Sequence, residues 1–128
     1  MSAEGLGFRP NTVIQELNWD EDVDEDLRAD IANTTGNEIV DGDTNVVVDG
    51  VVLWWRSEDG DVADGLMDAL TDLADGGQVW LMTPKVGRNG HVPNADIAEG
   101  AQVAGLAMTS TLNGGPDWVV TRMATPKR

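Results

Sequence analysis

The chain has 128 residues, with 23 Asp and Glu against eight Lys and Arg, and a formal net charge of −15 at pH 7. It contains no Cys, which excludes disulfide bonds, thiol catalysis and zinc sites built from Cys. Its hydrophobic content of 41% is enough for a folded core. We therefore expect a single domain over residues 1–128, ordered from about 6 to 125 between short flexible termini.

The acidic composition and the apolar pattern bear on partners and location. Phosphate binding needs clustered Lys and Arg, so nucleic acid and anionic membranes are not expected as partners. No basic segment precedes an apolar run in Met1–Pro10, and no run of about 18 apolar residues occurs. We therefore expect a cytoplasmic protein without a signal peptide or a membrane span.

The first third of the chain predicts a strand and a helix. Residues 12–17 form a short β-branched run typical of a strand. Three apolar residues then recur every four positions and predict an amphipathic helix: Val23, Leu27 and Ile31. Asp22 is its predicted N-cap, Glu25 completes a capping box, and Gly36 ends the helix.

Residues 46–55 predict the central strand of a sheet. The segment is nearly continuously apolar, with only Asp49 and Gly50 as an interruption, which indicates burial on both faces. Trp54 and Trp55 are consecutive, so their side chains must point to opposite faces of the sheet.

A second helix is predicted to begin at Asp61 and to end at Gly76-Gly77. Its apolar face has helical spacing: Val62, Leu66, Leu70 and Leu73. A buried strand over 78–82 follows and ends at Thr83-Pro84, and a polar loop over 85–92 comes next.

The last third predicts a helix and a hairpin. Asn94 is the predicted N-cap of the third helix, and Gly105 ends it. Strands over 106–112 and 118–124 flank a turn. Alternating strands and helices followed by a hairpin predict a three-layer α/β fold with an open, mostly parallel sheet and an antiparallel C-terminal edge strand.

In such sheets, ligands bind beyond the carboxyl ends of the strands. The loops predicted at that edge are 18–22, 56–61 and 84–91. Four basic or titratable residues fall in the last two loops and predict an anion-binding site: Arg56, Lys85, Arg88 and His91. The alternative is an ordinary polar loop whose charges pair with the acidic part of the molecule.

The charge is strongly segregated along the chain. Residues 16–75 contain 19 acidic residues and two basic ones. On the predicted second helix, four carboxylates at spacings of four, four and three form an outward stripe: Asp64, Asp68, Asp72 and Asp75. Like charges at this spacing oppose helix formation, so the stripe either keeps the protein soluble or forms a surface for a basic partner.

Two further patterns do not support a site. The carboxylates of residues 20–26 suggest calcium, but an EF-hand beginning at Asp22 would place Leu27 where Gly is needed and Asn33 where Glu is needed. A triad of Ser57, Asp59 and His91 lacks the Gly-x-Ser-x-Gly turn. We therefore assign no catalytic residues, no metal and no cofactor.

Several motifs along the chain resemble one known family: Leu6 to Pro10, Glu16 to Asp22, Leu53 to Arg56, Leu73 to Gly77, Leu81 to Arg88 and Asp117-Trp118. The chain resembles the actinobacterial family of unknown function 3052 over about residues 6–127. It is also distantly similar to the second half of a class I methyltransferase. That resemblance implies a cofactor turn at 18–21, which here contains no glycine, so we expect a shortened methyltransferase-like sheet without the cofactor site.

These observations lead to a functional hypothesis. We expect a non-enzymatic cytoplasmic domain that binds another protein, or regulates it, through the acidic surface around the first two helices, the basic loop or both. The alternative is a sensor of small anionic metabolites, or a small enzyme, with its site at the carboxyl ends of the strands. A third hypothesis is that the acidic part of the chain, residues 16–75, only confers solubility.

Overall fold

The structure is a computed structural model that describes residues 3–43 and 45–125. It contains five strands, three helices and two short 3₁₀ turns among these residues. In chain order they are a turn at Glu4–Leu6, β1 (Ile14–Leu17), α1 (Glu25–Thr35), β2 (Val48–Trp54), a turn at Ser57–Asp59, α2 (Val62–Ala69), β3 (Leu73–Pro84), α3 (Asn94–Ala104), β4 (Ala107–Asn113) and β5 (Trp118–Ala124).

The five strands form one sheet in the order β1-β2-β3-β5-β4. Strands β1, β2 and β3 are parallel, and β5 is antiparallel to both of its neighbours. The mostly parallel α/β fold class is therefore confirmed, with two corrections of position. The antiparallel strand lies inside the sheet and β4 forms the edge, because β5 pairs with β3 over seven residues. The middle strand is β3 rather than β2.

Helices cover both faces of the sheet and give three layers. Helix α1 packs on one face with Trp54 and Trp80, and α2 and α3 pack on the other face with Trp55. The two consecutive tryptophans thus point to opposite faces, as predicted. The helix N-terminal ends all lie at the edge where the parallel strands end, which places the three connecting loops together.

The second helix is shorter than predicted. It ends at Ala69, and the chain turns so that Asp72 O accepts a hydrogen bond from Val48 N at 2.9 Å. This contact starts β3 at Leu73, beside Val48 of β2. Gly76-Gly77 therefore lies within β3 instead of ending a helix, and Gly76 has a positive φ of 80°. Tertiary strand pairing here overrides the local helical spacing.

The predicted helix caps are partly confirmed. Gly36 and Gly105 end α1 and α3 in the left-handed conformation. The N-cap of α1, however, is Asp24, which accepts a hydrogen bond from Leu27 N at 2.9 Å. Asp22 was the wrong choice because its carboxylate binds a buried arginine. Asn94 is the first residue of α3, and Pro93 precedes it as the N-cap.

No helix within residues 3–43 and 45–125 is long and apolar enough to cross a membrane. Ala3, which the sequence placed in a flexible terminus, is buried, and its N donates a 2.6 Å hydrogen bond to Asp30 Oδ2. The same expectation for residues 1–2 and 126–128 lies outside the described part of the chain.

Candidate functional site

The loops that follow β1, β2 and β3 meet at one edge of the sheet, which we call the carboxyl edge. Ser57 N donates a hydrogen bond to Gly90 O at 2.9 Å, and Asn18 Nδ2 donates one to Asp59 Oδ2 at 3.1 Å. The prediction that loops 18–22, 56–61 and 84–91 share this edge is confirmed. The connection after β1 leads to one face and the connection after β2 leads to the other, so the ends of these two strands define the expected ligand crevice.

Arg56 occupies this crevice. Its side chain is 6% exposed, and it reaches from the end of β2 to the loop after β1. Nη1 donates to Asn18 O at 2.9 Å, Nε donates to Asp22 Oδ2 at 3.0 Å, and Nη2 donates to Asp22 Oδ1. The guanidinium also lies 5.4 Å from the centre of the Trp118 ring, a cation–π distance.

The charge of Arg56 is retained in this buried position. Burial alone would lower the pKa of Arg56, but the hydrogen bonds and the charge of Asp22 outweigh burial and raise the pKa above its ordinary value. The guanidinium is therefore a permanent cation whose donors point at the protein's own carboxylate and carbonyl groups.

The side chains of Asn18 and Asp59 also lie in the crevice, next to Arg56. Asn18 has a positive φ of 64°, a conformation that Asn tolerates, and it turns the chain across the edge. Its Nδ2 donates to Trp54 O at 2.8 Å and to Asp59 Oδ2 at 3.1 Å. Asp59 Oδ2 also accepts a 2.8 Å bond from Arg56 N. Side chains of this chain thus fill the place where a ligand would enter.

The four residues predicted to bind an anion lie in different environments. Arg56 is committed to Asp22, Arg88 is exposed and pairs with Asp117 at 3.2 Å, and Lys85 is half-buried. His91 Nδ1 lies 3.0 Å from Pro84 O. The anion site stays a prediction for Lys85, Arg88 and His91, while Nε, Nη1 and Nη2 of Arg56 all donate to groups of this chain.

The predicted acidic stripe is divided by the early end of α2. Asp64 and Asp68 are exposed on the helix. Asp72 lies in the following turn, where it accepts a hydrogen bond from Gln15 Nε2 at 3.1 Å, and Asp75 lies in β3. The prediction of a single four-residue helical stripe is therefore wrong.

The triad and calcium patterns gain no support from the geometry. The Asp59 carboxylate binds Arg56 N and Asn18, and His91 Nδ1 contacts a backbone carbonyl. Across the described ranges 3–43 and 45–125, no three His, Cys, Asp or Glu side chains are grouped to hold a metal ion.

A buried ion pair next to the crevice was not predicted from the sequence. Glu16 is 8% exposed, and Arg28 binds it with two bonds, Nε to Oε2 at 2.7 Å and Nη2 to Oε1 at 2.8 Å. Trp54 Nε1 donates to Glu16 Oε2 at 2.9 Å. The hydrogen bond to Glu16 raises the pKa of Arg28 against the opposing effect of burial. The signal in the sequence was a charged residue inside an apolar strand.

The sequence predicted only part of the acidic surface that α2 and α3 form. Neither helix contains a Lys, Arg or His. Together with the N-cap of α2 they carry five exposed carboxylates: Asp61, Asp64, Asp68, Asp96 and Glu99. We call this surface the acidic helix layer. A groove of about 300 Å³ lies between the two helices.

Asp22→Asn is expected to lower the free energy of unfolding by about 1.5 kcal/mol, because the buried Arg56 loses its charged acceptor. The effect is moderated since the Asp22 side chain is 53% exposed and water can reach the site. Urea denaturation followed by tryptophan fluorescence would measure it. Asp117→Asn is the matched control, because its pair with Arg88 is exposed on both sides and should contribute less than about 0.5 kcal/mol. Equal effects of the two changes would contradict the assignment.

The fold belongs to the class of Rossmann-like methyltransferase folds. The chain is similar to a putative methyltransferase from Pseudomonas syringae, with a TM-score of 0.65 and 14% identity over 96% of this chain and 93% of that one. It is also similar to a SAM-dependent methyltransferase from Aquifex aeolicus, with a TM-score of 0.60 and 10% identity over 97% and 87% of the two chains. At these identities the likeness shows the fold alone.

The chain itself belongs to the family described as protein of unknown function DUF3052, whose model matches residues 3–127. It is 50% identical over 125 residues to the uncharacterized protein Rv2239c of Mycobacterium tuberculosis, covering 98% of this chain and 78% of that protein. The uncharacterized protein Mb2263c of Mycobacterium bovis matches with the same identity and coverage.

S-adenosylmethionine, the cofactor that this fold implies, does not fit the residues at the crevice. The turn after β1 contains Asn18 to Glu21 without a glycine, so a nucleotide could not approach the backbone closely. The side chain of Arg56 lies across the same crevice and is held by Asp22. The chain thus has the fold of the methyltransferases, but its own side chains occupy the crevice at the ends of β1 and β2 where this cofactor would have to bind.

Proposed function

We propose that this chain is a non-enzymatic cytoplasmic domain that binds another protein, or regulates it, through the acidic helix layer. The single observation that carries the proposal is that α2, its N-cap and α3 present five exposed carboxylates and no basic residue. Such a surface attracts a basic partner and speeds its association.

The filled crevice supports the non-enzymatic part of the proposal. Arg56 and Asp22 bind each other where a ligand of this fold would enter. A buried cation with all three nitrogen positions engaged is costly to displace. The crevice therefore favours a structural role for these residues, and the binding role falls to the exposed surface.

The hypothesis that the acidic part of the chain only confers solubility makes the opposite prediction for the carboxylates of the acidic helix layer. If the carboxylates serve only solubility, neutralising two of them changes no interaction. Asp64 and Asp68 are suited to this comparison because both are exposed and neither side chain makes a hydrogen bond or ion pair within the described residues. Their neutralisation should change the free energy of unfolding by less than about 0.5 kcal/mol.

The double variant Asp64→Asn/Asp68→Asn should lose most of the partner that the tagged wild-type protein retains from a lysate of its own host. Retention should also fall between low salt and about 0.5 M NaCl, because exposed charges are screened. The matched control is Glu4→Gln/Glu38→Gln, which removes two exposed charges outside the acidic helix layer. A partner retained equally by both variants, or unaffected by salt, would contradict the proposal.

A further inference from the structure

The groove between α2 and α3 has an apolar floor. Val62 and Ala63 of α2 face Gly100 of α3, and a Cβ atom at Gly100 would lie 2.7 Å from Val62 Cγ1. The missing side chain lets the two helices approach closely at this point. Val92 is buried beneath the groove, and Val103 forms its rim with 62% of its surface exposed.

Carboxylates surround this floor. Asp96, Glu99, Gly100 and Val103 are spaced by three, one and three residues, which places them on one face of α3 toward the groove. Asp61 borders it from α2, where Oδ1 accepts a 3.0 Å hydrogen bond from Ala63 N. Within the described residues, the carboxylates of Asp96 and Glu99 make no hydrogen bond or ion pair.

We propose that this groove receives a lysine or arginine side chain from a basic segment of a partner protein. The inference rests on the proposed function and names the recognition element. The aliphatic stem of such a side chain covers apolar surface while its charge stays at a polar rim. The groove offers that combination, with the exposed side chain of Val103 for the methylene groups and Asp96 and Glu99 for the cation.

Chemistry favours this occupant over others. An anion would face three carboxylates, and a purely apolar segment would leave them without counter-charge. The volume of about 300 Å³ is at the small end of ligand sites and has room for one or two side chains. The absence of Lys and Arg from both helices means that no residue of either helix competes for the site.

Two six-residue peptides of equal charge test the proposal. One is hexalysine, whose side chains have four methylene groups each, and the other is the hexamer of 2,4-diaminobutyrate, whose side chains have two. Fluorescence anisotropy at about 0.1 M NaCl would compare them. Wild-type protein should bind hexalysine about tenfold more tightly, which corresponds to burial of two further methylene groups in the groove. Val103→Ser should bring this ratio close to one.

Matched variants separate the groove from the general acidity. Val47→Ser removes a valine elsewhere that is 74% exposed, against 62% for Val103, and should leave the ratio unchanged. Asp96→Asn/Glu99→Gln should weaken both peptides about fivefold or more, whereas Glu4→Gln/Glu38→Gln should change them less than about twofold.

The outcomes distinguish the two proposals. If both peptides bind equally and Val103→Ser has no effect, the groove proposal is overturned, while binding that still depends on the acidic helix layer leaves the proposed function in place. If neither peptide binds, the proposed function is overturned together with the groove.

Discussion

Replacing Gly50 by Ala is expected to lower the free energy of unfolding by about 3 kcal/mol. A Cβ atom at this position would lie 2.4 Å from Trp80 Cζ3 and 3.1 Å from Ile14 Cδ1. Trp80 cannot move away cheaply, because its ring stacks on Phe8 with a centroid distance of 4.0 Å and its Nε1 donates to Leu6 O at 2.8 Å. Thermal or urea denaturation would measure the loss.

A double variant provides the control for the Gly50 prediction. Trp80→Leu alone should cost about 3 kcal/mol, because a large buried ring is lost. In Gly50→Ala/Trp80→Leu the added methyl group has room, so the combined loss should be at least about 1 kcal/mol smaller than the sum of the single losses. Strict additivity would mean that Trp80 is not the obstacle at Gly50.

Glu16→Gln is expected to lower the free energy of unfolding by about 3 kcal/mol, since it breaks a buried ion pair while leaving the arginine in place. Arg28 loses a two-point charged acceptor, and Trp54 Nε1 competes with it for the remaining oxygen. The value lies at the low end for buried pairs because the Arg28 side chain is 31% exposed. Urea denaturation followed by tryptophan fluorescence would measure the loss.

Glu25→Gln is the matched control for this second prediction. Glu25 pairs with the same Arg28 at 2.5 Å, but its side chain is 60% exposed and lies on the same helix. Exposed pairs at this spacing contribute less than about 0.5 kcal/mol. A loss as large as that of Glu16→Gln would show that burial does not control the strength of these pairs.

The elements that depend on local patterns were predicted well. Gly36 and Gly105 ended their helices as expected, because only glycine adopts the left-handed cap without penalty. The final hairpin was placed within one residue at each end of β4, and β5 matched its predicted bounds. In these segments, neighbouring residues in the chain carry the information.

Longer-range pairing explains where the prediction failed. The second helix was extended through Leu70 and Leu73, which keep helical spacing, but Leu73 pairs with Val48 and begins β3. The Asp49-Gly50 interruption lies inside β2, as the strand predicted over 46–55 implied, but the reason for Gly50 was not predicted: it makes room for the ring of Trp80. Both outcomes depend on residues that are far away in the sequence.

The sequence predicted which loops meet at the carboxyl edge, whereas the anion site itself stays a prediction. The carboxyl edge does bring the three loops together, as the alternation of strands and helices implied. Arg56, however, was expected to bind an anion and instead binds Asp22, 34 residues earlier. The groove was not predicted, since its walls come from two helices that contact each other only in the folded chain.

The sequence by itself determined the charge segregation, the order of most strands and helices, the absence of cysteine chemistry and the lack of a glycine turn after β1. These are properties of composition and of spacings of two to four residues. Only the tertiary structure decided that Arg56 fills the crevice, that Glu16 is buried against Arg28, and that α2 and α3 enclose an acidic groove. The physical reason is that such contacts depend on which strands become neighbours, and no local periodicity encodes that order.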